Sequence, residues 1–277
     1  MVYIYLIAAG ILLPVINSGT NILDKGYSWW LAPIIYLGLF LGFVIIHIGL
    51  LVLAFALIDP KSPPEKGSRF YRFILNLSLP LMLWMAKVKV KLSGIDPEEI
   101  PNDQKMLFVC NHLSELDPII LMSVFPEHNI GFIGKKDICT KMPLIAKSMR
   151  KLYGVFIDRE NDREAAKAII EASHILKDQK ASVGLFPEGY TNKGSQLLPF
   201  RNGSFKTALK AKVPIVVCAI HNTRILPKRI LRRKTVVELK IVDLIYPHEY
   251  EGMNTAELGD MIHEKMEEAY KELRKRP

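Results

Sequence analysis

The stretch "KMLFVCNHLSELDPIILMSVF", from Lys105 to Phe125, decides the fold of this chain of 277 residues. After its leading lysine comes a short apolar run that ends at Cys110, and such runs are typical of strands buried on both faces of a sheet. Its second apolar run opens with Pro118, and proline is favoured at the first position of a helix. With "NHLSELD" between the two runs, the stretch predicts a buried strand, a short polar loop and a helix.

The same alternation continues along most of the chain. The predicted strands are "KVKVKL", "KMLFVC", "NIGFIG", "GVFI", "ASVGLF", "PIVVCAI" and "VVELKIVDLIY". The predicted helices are Pro118–Phe125, Met142–Tyr153, Asp162–Asp178, Gly203–Lys212 and Thr255–Arg274, the last with Thr255 as its N-cap. Strands that alternate with helices predict an α/β domain, a layered and largely parallel sheet flanked by helices.

The N-terminal part of the chain is apolar. The segment from Trp29 to Ile58 contains no Asp, Glu, Lys or Arg and exceeds the roughly 20 residues that cross a bilayer, which predicts a membrane-spanning helix. Val2 to Ile16 is a shorter apolar segment, either the first helix of a hairpin or an interfacial segment. Several cations follow Pro60, and the positive-inside rule therefore places the rest of the chain in the cytoplasm.

The segment "RFYRFILNLSLPLMLWMAKV", from Arg69 to Val88, is polar at its ends and interrupted by Pro80. It predicts a helix that lies on the cytoplasmic leaflet, or else the first core helix of the α/β domain. The chain is thus divided into an N-terminal membrane region (1–60), an interfacial helical region (61–86) and a cytosolic α/β domain (87–277).

The net charge indicates an anionic partner. Lys and Arg exceed Asp and Glu by 37 − 28 = 9, and "RILPKRILRRK", from Arg224 to Lys234, concentrates this excess. Anionic lipid headgroups are favoured over nucleic acid, because the chain has an apolar N-terminal segment and no recognised nucleic-acid-binding motif; a solvated loop is the alternative. Cys110, Cys139 and Cys218 form no C-x-x-C pair, so neither a disulfide framework nor a zinc site is predicted.

His112 and Asp117 are the candidate catalytic residues. His112 lies just past a predicted strand end, where sites gather in open α/β sheets. Asp117 could accept a hydrogen bond from one imidazole nitrogen, fix the tautomer and leave the other nitrogen as a base. No protein nucleophile can be assigned, so the base would deprotonate a hydroxyl of the substrate. Taken alone, the spacing also fits a capping aspartate beside a satisfied histidine.

Three further stretches follow in order: "GVFIDR", which ends at Arg159, then "LFPEGY", which contains Glu188, and then "VPIVVCAI". With His112 and Asp117, they make the chain from about Lys87 to Ile220 resemble the glycerolipid acyltransferase superfamily, and specifically the 1-acylglycerol-3-phosphate acyltransferases. The resemblance implies transfer of a fatty acyl group from coenzyme A or acyl carrier protein to the sn-2 hydroxyl of 1-acylglycerol-3-phosphate, which forms phosphatidic acid. It also implies His112 as general base, Asp117 as its orienter and no acyl-enzyme.

The resemblance further implies a set of cations and loop residues around the acceptor. Arg159 matches the family's phosphate-associated arginine, and Glu188 would either bind acceptor groups or brace its loop. Where the family usually continues E-G-T-R, this chain has "EGYTNKG", so either Lys193 replaces the missing arginine or the acceptor carries a larger headgroup. The expected substrate-binding residues are Asn111, Lys135, Lys136, Arg159, Glu188, Gly189 and Lys193.

Other functions remain open at this point. The chain could acylate another lyso-lipid, glycerol-3-phosphate or an aminolipid, or it could be a non-catalytic membrane-anchored lipid-binding protein. A metal-dependent hydrolase using His112, Asp117 and Asp158 is a further alternative, although their spacing matches no recognised metal site. We expect no metal, no cofactor beyond the thioester co-substrate and no nucleic-acid partner, and we expect the catalytic domain on the cytoplasmic face of the cell membrane.

Overall fold

The computed structural model describes residues 2–23, 30–59, 61–158, 160–194, 196–229 and 232–275. Trp29, at the start of the predicted span, therefore lies outside the described residues. The helices are α1 (Val2–Thr20), α2 (Leu31–Ala56), α3 (Ser68–Met85), α4 (Asp117–Val124), α5 (Ile138–Lys141), α6 (Pro143–Lys151), α7 (Asp162–Lys177), α8 (Lys206–Ala211), α9 (Leu226–Arg229) and α10 (Thr255–Lys275). The strands are β1 (Val88–Gly94), β2 (Leu107–Cys110), β3 (Ile130–Lys135), β4 (Val155–Ile157), β5 (Ser182–Leu185), β6 (Ile215–His221) and β7 (Thr235–Ile245).

One sheet organises the α/β domain, with the strand order β1-β7-β6-β2-β5-β3-β4. Neighbouring strands are parallel except β6 and β7, which are antiparallel. The predicted largely parallel sheet flanked by helices is therefore confirmed. Since β2 lies between β5 and β6, the loops that follow these three strands meet at one edge of the sheet, which we call the carboxyl edge. The segment "NHLSELD" leaves β2 at the middle of this edge.

Three predicted helices differ in detail from the structure. Thr255 does not cap α10, because Asn254 Oδ1 accepts hydrogen bonds from the main-chain N–H groups of Ala256 and Glu257. The helix expected over Met142–Tyr153 is present as α6, which begins at Pro143, a residue type favoured at the first helical position, and ends at Lys151. The third, expected over Gly203–Lys212, is a 3₁₀ turn followed by the short α8.

The N-terminal helices form an apolar layer beside the sheet. By length and composition α1 and α2 could each cross a membrane, and few of their residues are buried within the protein. The two helices pack against each other, and Tyr36 Oη on α2 donates to the carbonyl of Leu6 on α1. Along α2, His47 Nε2 lies 2.8 Å from Ser78 Oγ of α3. Helix α2 therefore runs beside α3.

Helix α3 has one face inside the protein and one outside. Its Arg72 is buried and donates to the carbonyl oxygens of Ile130 (3.0 Å) and Leu152 (3.4 Å). Burial lowers the pKa of Arg72 to about 10, so the guanidinium stays charged at neutral pH. On the other face, Phe70 and Phe73 are 58% and 64% exposed. The helix thus packs on the α/β domain and still presents an apolar surface; its contact with the leaflet stays a prediction.

We predict that Arg72→Ala lowers the free energy of unfolding by about 2–4 kcal/mol, since two buried carbonyl oxygens lose their donor. Chemical unfolding of the purified full chain in detergent measures the effect. Arg69→Ala, an exposed arginine on the same helix, is the matched control and should change this free energy by less than about 0.5 kcal/mol. Equal effects of the two substitutions would contradict the role given to Arg72.

Candidate active site

His112 and Asp117 are in direct contact. His112 Nδ1 lies 2.9 Å from Asp117 Oδ2, and Asp117 is completely buried at the start of α4. The same carboxylate oxygen accepts the main-chain N–H groups of Leu113 (2.7 Å) and Ser114 (2.8 Å). Three donors thus hold one oxygen, which fixes the orientation of the carboxylate with respect to the imidazole.

This contact determines which nitrogen of His112 can act as a base. An ionised carboxylate only accepts hydrogen bonds, so the ring proton resides on Nδ1 and the lone pair on Nε2. The ring also stacks on Phe186, with centroids 4.3 Å apart and planes inclined by 21°. The His112 side chain is 15% exposed. The imidazole is therefore oriented by Asp117 and Phe186 and remains accessible to solvent.

The loop that follows β5 holds the main chain of His112. Glu188 Oε1 accepts the His112 N–H at 2.8 Å, and the main-chain N–H of Asn192 donates to the His112 carbonyl at 2.7 Å. The sequence did not indicate a role for Asn192, because a lone asparagine in a polar loop gives no distinctive signal.

Glu188 braces this loop. It is 2% exposed, and its Oε2 accepts Asn192 Nδ2 at 2.7 Å and the main-chain N–H of Leu198 at 2.9 Å. Burial raises the pKa of the Glu188 carboxyl, while these hydrogen bonds and the one from His112 oppose the shift. Of the two roles that the sequence left open, bracing is the one its contacts support; binding of acceptor groups by Glu188 stays a prediction.

Gly189 and its neighbours form the next part of the loop. Gly189 has φ +76°, and a Cβ there would come within 2.7 Å of Arg201 Nε, so both the backbone and the space call for glycine. The Arg201 guanidinium stacks on the Tyr190 ring at 4.9 Å and donates to Tyr190 Oη at 2.8 Å. A guanidinium therefore lies against Gly189 and Tyr190, the two residues before Thr191, which stands where the family usually has arginine.

Asn111 joins two strands at the carboxyl edge. It is completely buried; its Nδ2 donates to the Ile220 carbonyl at 3.0 Å, and its Oδ1 accepts the Ile220 N–H at 2.7 Å. These bonds connect the end of β2 to the end of β6. They make Asn111 a brace, and its expected contact with substrate stays a prediction.

The expected phosphate-binding cations lie around the same edge. Lys135 Nζ pairs with Asp137 at 3.0 Å, and Lys136 Nζ pairs with Asp158 at 3.6 Å, with both lysines about half exposed. Lys193 is exposed in the loop after β5. Arg159 lies outside the described residues. The three described lysines thus lie at the end of β3 and in the loop after β5.

The hydrolase alternative needs a metal site. The described residues include no group of three or more His, Cys, Asp or Glu side chains arranged to hold a metal ion. Asp158, the third ligand considered above, pairs with Lys136. Within the described part of the chain, the geometry therefore offers this alternative no set of ligands.

Comparison with known proteins identifies the class. A family model described as Acyltransferase matches residues 91–221, a range that contains His112, Asp117 and Glu188, so the fold and the site define an acyltransferase. A 1-acyl-sn-glycerol-3-phosphate acyltransferase of Haemophilus influenzae is 30% identical over 189 residues, which cover 66% of this chain and 77% of the relative. One from Borreliella burgdorferi is 28% identical over 200 residues, which cover 70% and 78%. The chain belongs to the 1-acyl-sn-glycerol-3-phosphate acyltransferase family and is an enzyme of the EC 2.3.1 class.

A solved structure agrees in fold. The crystal structure of the 1-acyl-sn-glycerophosphate (LPA) acyltransferase from Thermotoga maritima superposes with a TM-score of 0.64 at 25% sequence identity. The superposition covers 84% of this chain and 90% of that one. The likeness therefore includes most of the sheet and helices described above.

We predict that Asp117→Asn lowers kcat about 10²- to 10⁴-fold, the range that positioned base catalysis supplies. A neutral amide can still accept the Leu113 and Ser114 N–H groups, but it no longer stabilises an imidazolium at His112. Steady-state acyl transfer by the purified full chain measures the loss. The control is Asp103→Asn, an exposed aspartate, and a kcat for Asp117→Asn within threefold of wild type would contradict the assignment.

Proposed function

We propose that this enzyme transfers a fatty acyl group from coenzyme A or acyl carrier protein to the sn-2 hydroxyl of 1-acylglycerol-3-phosphate, which forms phosphatidic acid. The observation that carries the proposal is the contact of His112 Nδ1 with the buried Asp117, which leaves Nε2 as a base. The relatives named as 1-acyl-sn-glycerol-3-phosphate acyltransferases support the choice of acceptor.

The chemistry follows from that base. Nε2 of His112 takes the hydroxyl proton while the hydroxyl oxygen attacks the thioester carbonyl, and Asp117 stabilises the imidazolium that forms. The new C–O bond forms, the C–S bond breaks, and the imidazolium returns its proton to the departing thiolate. Both substrates must be bound together, because no acyl-enzyme is formed. Their mutual orientation supplies a large part of the rate enhancement.

The cations of the carboxyl edge suit a phosphate monoester. Lys135 and Lys136 hold aspartates only in exposed ion pairs, which contribute about 0–1 kcal/mol each, so both lysines can turn to a phosphate at little cost. Arg201 presents a guanidinium, which can bind phosphate oxygens in a bidentate manner. We propose that these side chains, with Arg159 and Lys193, bind the acceptor headgroup.

The apolar layer of α1, α2 and α3 suits a membrane. The exposed apolar residues of these helices are numerous, and α1 and α2 are apolar enough to enter a bilayer. Helix α2 packs on α3, and α3 packs on the α/β domain, so this layer would attach the α/β domain to the membrane. We propose a membrane-bound enzyme whose α/β domain lies on the cytoplasmic face; the span itself stays a prediction.

Substitution of the proposed base, His112, tests this function. We expect His112→Ala to abolish formation of phosphatidic acid from 1-acylglycerol-3-phosphate and an acyl thioester, with folding and vesicle association unchanged. Product analysis with labelled donor measures the loss, and His174→Ala, an exposed histidine of α7, is the control. Near-normal turnover by His112→Ala would refute the proposal.

One observation favours a different acceptor. Thr191 stands where the family usually has arginine, which fits a lysophospholipid whose phosphate is masked by a larger headgroup. An acceptor panel separates the two functions: preference for 1-acylglycerol-3-phosphate supports the first, and preference for lysophospholipids with larger headgroups supports the second.

The panel also tests Arg201. We predict that Arg201→Ala raises the KM for 1-acylglycerol-3-phosphate about tenfold, the loss expected for one charge-assisted hydrogen bond. The KM for the acyl donor should change less than threefold, since the donor thioester carries no phosphate at the reacting end. Parallel increases in both KM values would indicate that Arg201 only supports the loop.

A further inference from the structure

The position of the His112 ring depends on contacts that do not involve the ring. The peptide N–H of His112 is held by Glu188 Oε1 and its carbonyl by the N–H of Asn192. Both partners belong to the loop after β5. The main chain that carries the imidazole is therefore held at both ends by one loop, and its position depends on what fixes that loop.

Asn192 fixes it. The residue is 2% exposed, and its Nδ2 donates to Glu188 Oε2 at 2.7 Å and to the carbonyl of Gln196 at 2.6 Å. Its Oδ1 accepts the N–H of Gly194 at 2.7 Å. The side-chain amide thus closes the turn that follows Asn192 in the chain. It also binds one carboxylate oxygen of Glu188, while the other oxygen of Glu188 accepts the His112 N–H.

The far end of this turn is also attached to the domain. Arg224, in the 3₁₀ turn that follows β6, donates through Nη2 to the carbonyl of Gly194. The turn closed by Asn192 is therefore connected to the end of β6 through Arg224 and to the end of β2 through the main chain of His112. The three contacts need the amide: aspartate has no donor, alanine has neither donor nor acceptor, and serine is too short for all three contacts.

We propose that Asn192 is a positioning residue, which holds His112 through the main chain and through Glu188 so that Nε2 meets the acceptor hydroxyl. This inference rests on the proposed role of His112 as base. A base displaced by about 1 Å can lose about 10²-fold in rate. The contacts of Asn192 hold the main chain of the base and do not involve the proposed acceptor-binding side chains of Lys193 and Arg201, so the loss should appear mainly in kcat.

The first test uses Asn192→Ala in the full chain, with Gln196→Ala as the matched control. Gln196 lies on the same loop with its side chain exposed, and only its main-chain carbonyl contacts Asn192, so its substitution keeps that contact. We expect Asn192→Ala to lower kcat about 30- to 100-fold, with both KM values within threefold, while Gln196→Ala stays within twofold of wild type.

The second test uses Asn192→Asp and a pH series. A second carboxylate beside Glu188 places two negative charges in a buried site, and burial already raises the pKa of Glu188. As pH falls the pair takes up one proton and shares it, which restores a hydrogen bond between the two side chains. The ratio of the Asn192→Asp kcat to the wild-type kcat should therefore rise at least fivefold from pH 8.5 to pH 6, whereas the Asn192→Ala ratio stays flat.

The outcomes are distinct. The inference is overturned if folded Asn192→Ala keeps kcat within twofold of wild type, or if its activity falls only in proportion to the folded fraction measured by thermal unfolding. A flat pH ratio for Asn192→Asp also overturns it. His112→Ala, assayed in parallel, separates the two proposals: an active His112→Ala defeats the proposed function, while an inactive one beside a normal Asn192→Ala defeats only this inference.

Discussion

A single buried oxygen, Oδ2 of Asp117, accepts three N–H groups, one from the His112 ring and two from the main chain of Leu113 and Ser114. An ionised carboxylate is costly to bury unless such donors surround it. The same donors prevent the carboxylate from turning away from the imidazole. They also shape the loop between β2 and α4, so the segment that carries the base and the group that orients it form together.

The parallel sheet supplies the rest of the site because it brings distant segments to one edge. β2 lies between β5 and β6, and the loop after β5 provides Phe186 for stacking and Glu188 for the His112 N–H. The end of β6 meets Asn111. The catalytic loop is thus held from both neighbouring strands, and a rigid scaffold positions the catalytic groups more precisely than a free loop would.

The sequence predicted those features that depend on local spacing. His112 and Asp117 are five residues apart across a strand end and a helix start, and that local geometry was sufficient to place them in contact. Glu188 and Ile220 lie 76 and 109 residues from their partners in the site, so their contacts depend on strand order, which spacing does not specify. For the same reason the spacing did not predict that the Asn111 amide bridges the ends of β2 and β6. The N-cap of α10 was missed by one residue because Asn254 and Thr255 are both good capping residues.

The central claim, that Nε2 of His112 deprotonates the acceptor hydroxyl, is tested most directly by a crystal structure of the wild-type enzyme with 1-acylglycerol-3-phosphate and an unreactive thioether analogue of the acyl donor. We expect the sn-2 hydroxyl oxygen at about 2.6–3.2 Å from His112 Nε2, or joined to it by one water, with the methylene that replaces the donor carbonyl beside that oxygen. A hydroxyl bound out of reach of Nε2 in such a complex, with no bridging water, would contradict it.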